Sequence, residues 1–203
     1  LAPDDRFRPL PAEAVDAVAT RHNIPILYLL FVGTFEPRKN VAGLLTAYAQ
    51  LPSDAPPLVL VGNQGWLFDE TMNRIRELGL AGRVHFIQDV PADDLPALYC
   101  GACALVLPSH YEGFGLPVLE AFACGTPVVI ADRASLPEIA GGAAALCDPD
   151  DPASIAHAIQ TVLTDSAYRQ TLVAKGRARA KEFSWEKCAR ETLRVYKRVL
   201  NHE

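Results

Sequence analysis

Two glutamates, eight positions apart, mark the segment of this chain that is best suited to chemistry. They are Glu112 and Glu120, and Glu120 is the only charged residue between Gly113 and Ala131. Burying an unpaired carboxylate is costly, so such a group needs hydrogen-bond donors or a proton. The paired hydroxyls of a ribose or a hexose would supply those donors. The spacing therefore predicts a site for a sugar or a nucleotide.

The stretch between the two glutamates predicts a turn that opens a helix. Gly113 and Gly115 expose backbone N–H groups, and Pro117 suits an early helical position. These N–H groups could bind an anion, because the N-terminus of a helix carries partial positive charge. We expect Glu112 in the loop above the sheet and Glu120 about one turn into the helix, both facing one crevice. The alternative is an exposed Glu112 and a locally paired Glu120.

A second segment, VGTFEPRKN (32–40), follows a predicted strand and brings two cations together. Gly33 allows close approach of the backbone, and Arg38 and Lys39 precede a helix that starts near Asn40. Cations beside a helix N-terminus suit a diphosphate. The alternative is a solvated loop in which Asn40 only caps the helix.

Length, charge and hydropathy exclude several classes of protein. The 203 residues suit one large domain, and the net charge of −5 argues against a sequence-independent nucleic-acid binder. No apolar run reaches the roughly 18 to 20 residues that a membrane-spanning helix needs. The chain begins at Leu1 and no signal peptide is visible, so we expect a piece of a longer polypeptide.

The five cysteines are odd in number and lie in apolar surroundings, which is typical of reduced thiols in a cytosolic protein. Cys100 and Cys103 form a CxxC pair that could bind zinc or act in redox chemistry. No second ligand pair follows at a suitable spacing, so buried small side chains are the favoured interpretation.

Strand patterns alternate with helical patterns along most of the chain. This alternation predicts an α/β fold, with a doubly wound parallel sheet and right-handed crossovers. The predicted strands are 26–32, 58–61, 83–87, 104–107, 127–131 and 143–147. The predicted helices are 11–22, 41–51, 66–78, 93–101, 116–124, 152–164, 166–182 and 185–200.

The sequence predicts three parts. Residues 1–22 form a linker and a short leading helix, 23–183 form the α/β domain, and 184–203 form a C-terminal helix. That last helix has an apolar stripe, which we expect to pack on a domain outside this chain. Asp148-Pro149-Asp150 superficially suggests a metal-binding Asp-x-Asp, but its place before a proline-started helix favours a turn and a cap.

The chain resembles the C-terminal, donor-binding domain of the retaining GT-B glycosyltransferases, the group 1 or family four enzymes that include bacterial mannosyl- and glucosyltransferases. The resemblance spans nearly the whole chain and implies a Rossmann-like domain with extra C-terminal helices. It rests on VGTFEPRKN, LVLVGNQGW, RVHFIQDVPADDLPALY, the two-glutamate segment, GTPVVIADRASLPEIAGGAAALCDPDD and a final helix led by FSW.

The resemblance implies a role for each matching residue. Glu120 would accept hydrogen bonds from the ribose of a sugar nucleotide, and Glu112 would face the transferred sugar. Arg38 and Lys39 would bind the diphosphate and stabilise its departure. The remaining contacts come from Gly33 and from the backbone of Val90 (to the base), Gly113, Phe114, Gly115 and Leu116. Many relatives carry glycine where this chain has Gln88 or Asp89, so the base pocket is expected to differ here.

The same resemblance implies hexose transfer from a nucleoside-diphosphate sugar, with GDP-mannose weakly favoured over UDP-sugars. No cofactor and no metal are expected. The partners would be the nucleotide sugar and, through the missing N-terminal domain, a glycan or lipid-linked acceptor. We expect a cytoplasmic protein, with peripheral association of the full-length enzyme at the inner face of the membrane.

There are three alternatives to this function. One is a fragment that binds sugar nucleotides without turnover, and another is a sugar-nucleotide epimerase of the same two-domain architecture. A Rossmann dehydrogenase is disfavoured, because residues 33–38 do not provide the GxGxxG turn that such enzymes need.

Overall fold

Six short apolar strands form one parallel sheet at the centre of the protein. The computed structural model describes residues 1–63 and 68–200. The strands are β1 (Tyr28–Val32), β2 (Leu58–Val61), β3 (Val84–Ile87), β4 (Ala102–Leu107), β5 (Val128–Ala131) and β6 (Ala145–Cys147). Their order in the sheet is β3-β2-β1-β4-β5-β6. The strand order reverses between β1 and β4, and ligands of open α/β sheets bind in the crevice at that point.

Helices connect the strands and cover the sheet. They are α1 (Ala12–Arg21), α2 (Val41–Tyr48), α3 (Phe68–Glu77), α4 (Leu95–Gly101), α5 (Leu116–Cys124), α6 (Leu136–Ala140), α7 (Pro152–Thr164), α8 (Ser166–Ala180) and α9 (Trp185–Leu200). A short 3₁₀ turn, Pro37–Lys39, precedes α2. The side chains of β2 and β5 are buried throughout, as expected for parallel strands covered on both faces.

The predicted α/β architecture is confirmed, and all six predicted strands are present within two residues of their expected ends. Helix α6 was missed because it has five residues, too few to show a helical period. Residues 64–67, which belong to the LVLVGNQGW motif and to the start of the predicted 66–78 helix, lie outside the described residues. The five cysteines are free thiols.

The N-terminal segment packs along the domain. The Phe7 ring meets the Tyr99 ring edge-on at 5.7 Å, and Val18 and Ala19 of α1 are buried. Helix α1 is held to the start of α4 by the buried carboxylate of Asp94. Residues 1–22 therefore lie against the α/β domain.

Helix α9 differs from the others because none of its side chains is buried. Its large apolar side chains, including Trp185, Tyr196 and Val199, are exposed. Among the described helices, none combines the length and the hydropathy required to cross a membrane.

The Asp94 side chain, just before α4, links α1 to α4 through hydrogen bonds. It accepts hydrogen bonds from Arg21 and from His22 Nε2, the latter at 2.8 Å. Burial by itself would raise the pKa of Asp94, but the hydrogen bonds from Arg21 and His22 outweigh it and hold the pKa below its ordinary value of 3.8. The charged carboxylate therefore stabilises the folded protein.

We expect Asp94→Asn to lower the free energy of unfolding by about 1 to 2 kcal/mol at neutral pH, because charge-assisted hydrogen bonds are lost. The wild-type advantage should be complete above pH 3.8 and should disappear as the pH falls through the lowered folded-state pKa. Denaturant unfolding at several pH values measures this. The control is Asp93→Asn, since the Asp93 side chain is 93% exposed. Equal losses for the two variants would contradict the prediction.

Candidate functional site

The loops after β1 and β4 meet at the carboxyl edge of the sheet. The first carries Arg38 and Lys39 in its 3₁₀ turn, and the second carries Glu112. The His110 N–H donates to the Arg38 carbonyl at 2.8 Å, which joins the two loops through their backbones. The sheet order makes this meeting possible, because β1 and β4 are neighbours.

Glu112 is a buried carboxylate with three hydrogen-bond donors. Its Oε1 accepts from Lys39 Nζ at 2.6 Å and from Ser109 Oγ at 2.8 Å, while its Oε2 accepts from an Arg38 guanidinium nitrogen at 3.1 Å. Glu112 and Lys39 are each only 7% exposed. A buried pair of opposite charges with further hydrogen bonds satisfies the condition for keeping charge inside a protein.

Arg38 is the exposed member of this cluster. Its side chain is 43% exposed, and its Nε donates to Glu36 Oε2 at 2.8 Å. Lys39 lies deeper, beside Gly33: a Cβ at position 33 would lie 3.4 Å from Lys39 Cε. The cluster therefore places one cation inside the loop and one at its surface.

The glycine loop leads directly into α5. Gly115 occupies the left-handed region, at φ +98°, which favours glycine, and no side chain caps the N-terminus of α5. Ser135 Oγ lies 2.8 and 3.0 Å from the carbonyl oxygens of Glu112 and Phe114, so its single O–H is shared between them. Ser135 therefore fixes the loop's carbonyls and leaves the uncapped helix end, at Leu116, suited to an anion.

Glu120 is not the solitary buried acid that the sequence predicts. It is partly exposed, and its Oε2 accepts a hydrogen bond from the buried Tyr99 hydroxyl at 2.6 Å. Burial raises the pKa of Glu120, while the Tyr99 hydrogen bond opposes that rise. The second oxygen, Oε1, accepts no hydrogen bond from residues 1–63 or 68–200, so the diol argument now applies to that oxygen alone.

Glu112 was expected in the loop above the sheet, with exposure as the alternative. The structure places it in that loop but buries its side chain against both cations. The local pairing considered for Glu120 is present, through Tyr99. The sequence therefore identified both acids and assigned the deeper burial to the wrong one.

Val90 lies in the loop between β3 and α4, partly buried and packed on the core. The preceding residue, Asp89, has a left-handed backbone at φ +50°. Glycine adopts that conformation without strain, so a glycine would fit position 89 as well as aspartate does.

Sequence reasoning missed Tyr99, Ser109 and Ser135. Ser109 lies three residues before Glu112, so a search of that loop for hydroxyl donors could have found it. Tyr99 and Ser135 are 21 and 23 residues from the groups they bind, and no local pattern indicates such contacts.

The Asp148-Pro149-Asp150 segment forms a turn and an ion pair. Both aspartates pair with Arg133, and the following Asp151 caps α7 by accepting from the Ala153 N–H at 2.9 Å. Asp150 also lies 3.3 Å from His110 Nδ1. In the part of the chain that the structure describes, no three His, Cys, Asp or Glu side chains are grouped to hold a metal ion.

We expect Lys39→Met to destabilise the protein by about 3 kcal/mol, because it leaves the buried Glu112 carboxylate without its closest cation. Arg38→Met should cost about 1 kcal/mol or less, since the Arg38 side chain is 43% exposed and solvent screens its charge. Denaturant unfolding measures both. Restored stability in the double variant Lys39→Met/Glu112→Leu would show that the loss comes from the unpaired carboxylate. Equal losses for the two single variants would refute the assignment of Lys39 as the buried cation and Arg38 as the exposed one.

Comparison with known proteins places the chain in a family. Residues 20–179 match the model for glycosyl transferases group 1. The O-antigen chain mannosyltransferase B of Escherichia coli is 44% identical over 173 residues, which cover 84% of this chain and 45% of that protein. The serotype-specific mannosyltransferase WbdA of E. coli is 34% identical over 197 residues, covering 93% of this chain and 24% of that protein. This chain thus spans less than half of either relative.

Among solved structures, sucrose-phosphate synthase from Thermosynechococcus elongatus superposes with a TM-score of 0.81 at 31% identity, covering 98% of this chain and 51% of that one. From these matches and the parallel six-stranded sheet, the chain belongs to the group 1 glycosyltransferases and has the Rossmann-like fold of the C-terminal domain of a GT-B enzyme.

Proposed function

We propose that this chain is the donor-binding half of a retaining glycosyltransferase. The whole enzyme would move a hexose from a nucleoside-diphosphate sugar to an acceptor hydroxyl in glycan or polysaccharide synthesis. The observation that best supports this is the cluster of Arg38, Lys39 and Glu112 beside the uncapped N-terminus of α5. Cations and free N–H groups suit a diphosphate, and a carboxylate beside them suits sugar hydroxyls.

The diphosphate is the leaving group in this proposal, and its negative charge grows as the glycosidic bond breaks. Arg38, Lys39 and the N-terminus of α5 would stabilise that charge. Because Glu112 holds both cations in the loop, little rearrangement would be needed. No metal is required for this role, because side chains and backbone N–H groups provide the positive potential.

Glu112 would exchange partners when the donor binds. It now accepts from both cations, and a diphosphate would compete for the exposed Arg38. A carboxylate has about four lone-pair positions, so Glu112 could keep Lys39 and Ser109 while it accepts a sugar hydroxyl at Oε2. The acceptor hydroxyl would approach the sugar on the same face from which the diphosphate departs, which gives retention.

The remaining donor contacts follow the resemblance. The free Oε1 of Glu120 would accept from the ribose hydroxyls, and the backbone of Val90 would meet the base. The backbone of Phe114, Gly115 and Leu116 would contact the sugar and the phosphates. Two relatives are named as mannosyltransferases. Their names support mannose as the transferred sugar, and therefore GDP-mannose rather than a UDP-sugar as the donor. The acceptor, a glycan or a lipid-linked glycan, would bind through the N-terminal half, at the inner face of the membrane.

The chain taken alone would bind the donor without turning it over. It spans 45% of the E. coli mannosyltransferase B, and α9 leaves an apolar face uncovered. Both observations support a missing N-terminal half that supplies the acceptor site and covers α9. Turnover by this chain at the rate of the full-length enzyme would contradict that division.

The first test separates the diphosphate from the nucleoside. We expect calorimetry to show binding of GDP or UDP and about tenfold or more weaker binding of the matching nucleoside, since charge-assisted contacts are lost. Arg38→Met should weaken the diphosphate complex and leave nucleoside affinity unchanged. Equal effects on both ligands would place the phosphate site elsewhere.

A second test addresses the ribose. Glu120→Gln should weaken binding of GDP or UDP by about tenfold, because the hydroxyls lose a charged acceptor and the amide has only one oxygen for both Tyr99 and the ligand. The same variant should be at least as stable as wild type at neutral pH. Burial raises the pKa of Glu120, so its ionisation destabilises the folded state, and this effect fades as the pH falls towards 4.5. Wild-type affinity in Glu120→Gln would refute the ribose role.

A further inference from the structure

Asn40 ties three loops together at the carboxyl edge of the sheet. It follows Lys39 directly and has a left-handed backbone at φ +53°. Its Oδ1 accepts from the Gly43 N–H at 3.2 Å, at the start of α2. Its Nδ2 donates to the carbonyl oxygens of Pro108, at 3.1 Å, and Pro149, at 2.7 Å. One side-chain amide thus binds the loops after β1, β4 and β6.

A helix cap would not need this arrangement. Capping uses only an oxygen acceptor, and aspartate or serine would serve as well as asparagine. The Nδ2 group is different, because both of its N–H donors are used, and each holds a loop that borders the candidate site. Pro108 lies four residues before Glu112, so this bond joins the segment that carries the cations to the segment that carries the carboxylate.

Gly43 lowers the helix propensity of α2, and the position of Asn40 explains why a glycine is present there. Glycine inside a helix is less favourable than alanine by about 1 kcal/mol, and Gly43 lies in the first turn of α2. A Cβ at position 43 would lie 2.4 Å from Asn40 Oδ1 and 2.7 Å from Asn40 Nδ2. The amide can lie over the helix end only because residue 43 has no side chain.

We propose that Asn40 is a positioning residue for the diphosphate site and that Gly43 is required to make room for the Asn40 amide. The Asn40 amide holds Arg38 and Lys39 against Glu112 by fixing the loops on which they lie. This inference rests on the proposed function and deepens it. It makes donor binding depend on the loop at Pro149, which carries none of the residues assigned to the ligand.

The test changes Gly43, which makes room for the Asn40 amide, and leaves every charged group of the site intact. Gly43→Ala should displace the Asn40 amide while improving the helix propensity of α2. We expect about tenfold weaker binding of GDP or UDP and only a small fall in melting temperature, because the gain in helix propensity offsets part of the lost hydrogen bonds. Gly82→Ala is the matched control, because a Cβ there meets nothing within 4 Å. It should leave both quantities unchanged.

A second readout needs no nucleotide. Acylation of Lys39 by acetic anhydride, followed by mass spectrometry, reports how firmly the amine is held against Glu112. We expect this rate to rise severalfold in Gly43→Ala and in Asn40→Asp. The aspartate keeps the Oδ1 acceptor and tolerates a left-handed backbone, but it lacks both N–H donors.

The outcomes separate two failures. If wild type binds neither GDP nor UDP, the proposed function fails, and faster Lys39 acylation in the variants would still support positioning by Asn40. If Gly43→Ala and Asn40→Asp keep the wild-type acylation rate, the positioning role is overturned, whatever the nucleotide affinity. Wild-type affinity and acylation in Asn40→Asp alone would reduce Asn40 to a helix cap and would equally overturn the proposal.

Discussion

The buried carboxylate of Glu112 is the constraint on which the candidate site depends. A charge at this depth is stable only with close partners, and Glu112 takes them from two loops far apart in sequence: Lys39 and Arg38 from one, Ser109 from its own. The loops can meet because β1 and β4 are adjacent in the sheet. The topology that reverses the strand order therefore brings the cations to the carboxylate, and the need to pair that carboxylate holds the loops in place.

This arrangement has a consequence for binding. Positive groups that are fixed before a ligand arrives need no reorganisation when negative charge develops near them, which is the main source of electrostatic stabilisation in enzymes. In this protein the carboxylate that holds the cations lies in the loop that leads into the uncapped start of α5. The same pairing holds Arg38 and Lys39 against a carboxylate of opposite charge.

The sequence predicted the elements well and their contacts only in part. Strand and helix patterns are local, so hydrophobic periodicity located every strand and all helices except α6. The glutamate spacing and the Arg-Lys pair drew attention to two loops that the structure brings together. Burial was less predictable: the apolar neighbours of Glu120 suggested the deeper position, yet Glu112 lies deeper because Lys39 and Ser109 enclose it. Tyr99 and Ser135 act across more than 20 residues, and such contacts follow from packing that no single segment encodes.

The two glutamates also differ in how completely they are satisfied. Glu112 is matched by two cations and a hydroxyl, whereas Glu120 has one neutral partner among residues 1–63 and 68–200, a second oxygen that accepts nothing from them, and a pKa raised by burial. An incompletely paired carboxylate lowers the stability of the unliganded protein, and any ligand that donates to it recovers that free energy as affinity. A hydrogen-bond donor of a ligand gains more binding free energy at such a carboxylate than at one that is already paired. The two acids therefore differ in their surroundings: Glu112 pairs with the protein's own cations, and Glu120 keeps one oxygen that accepts no hydrogen bond from the described residues.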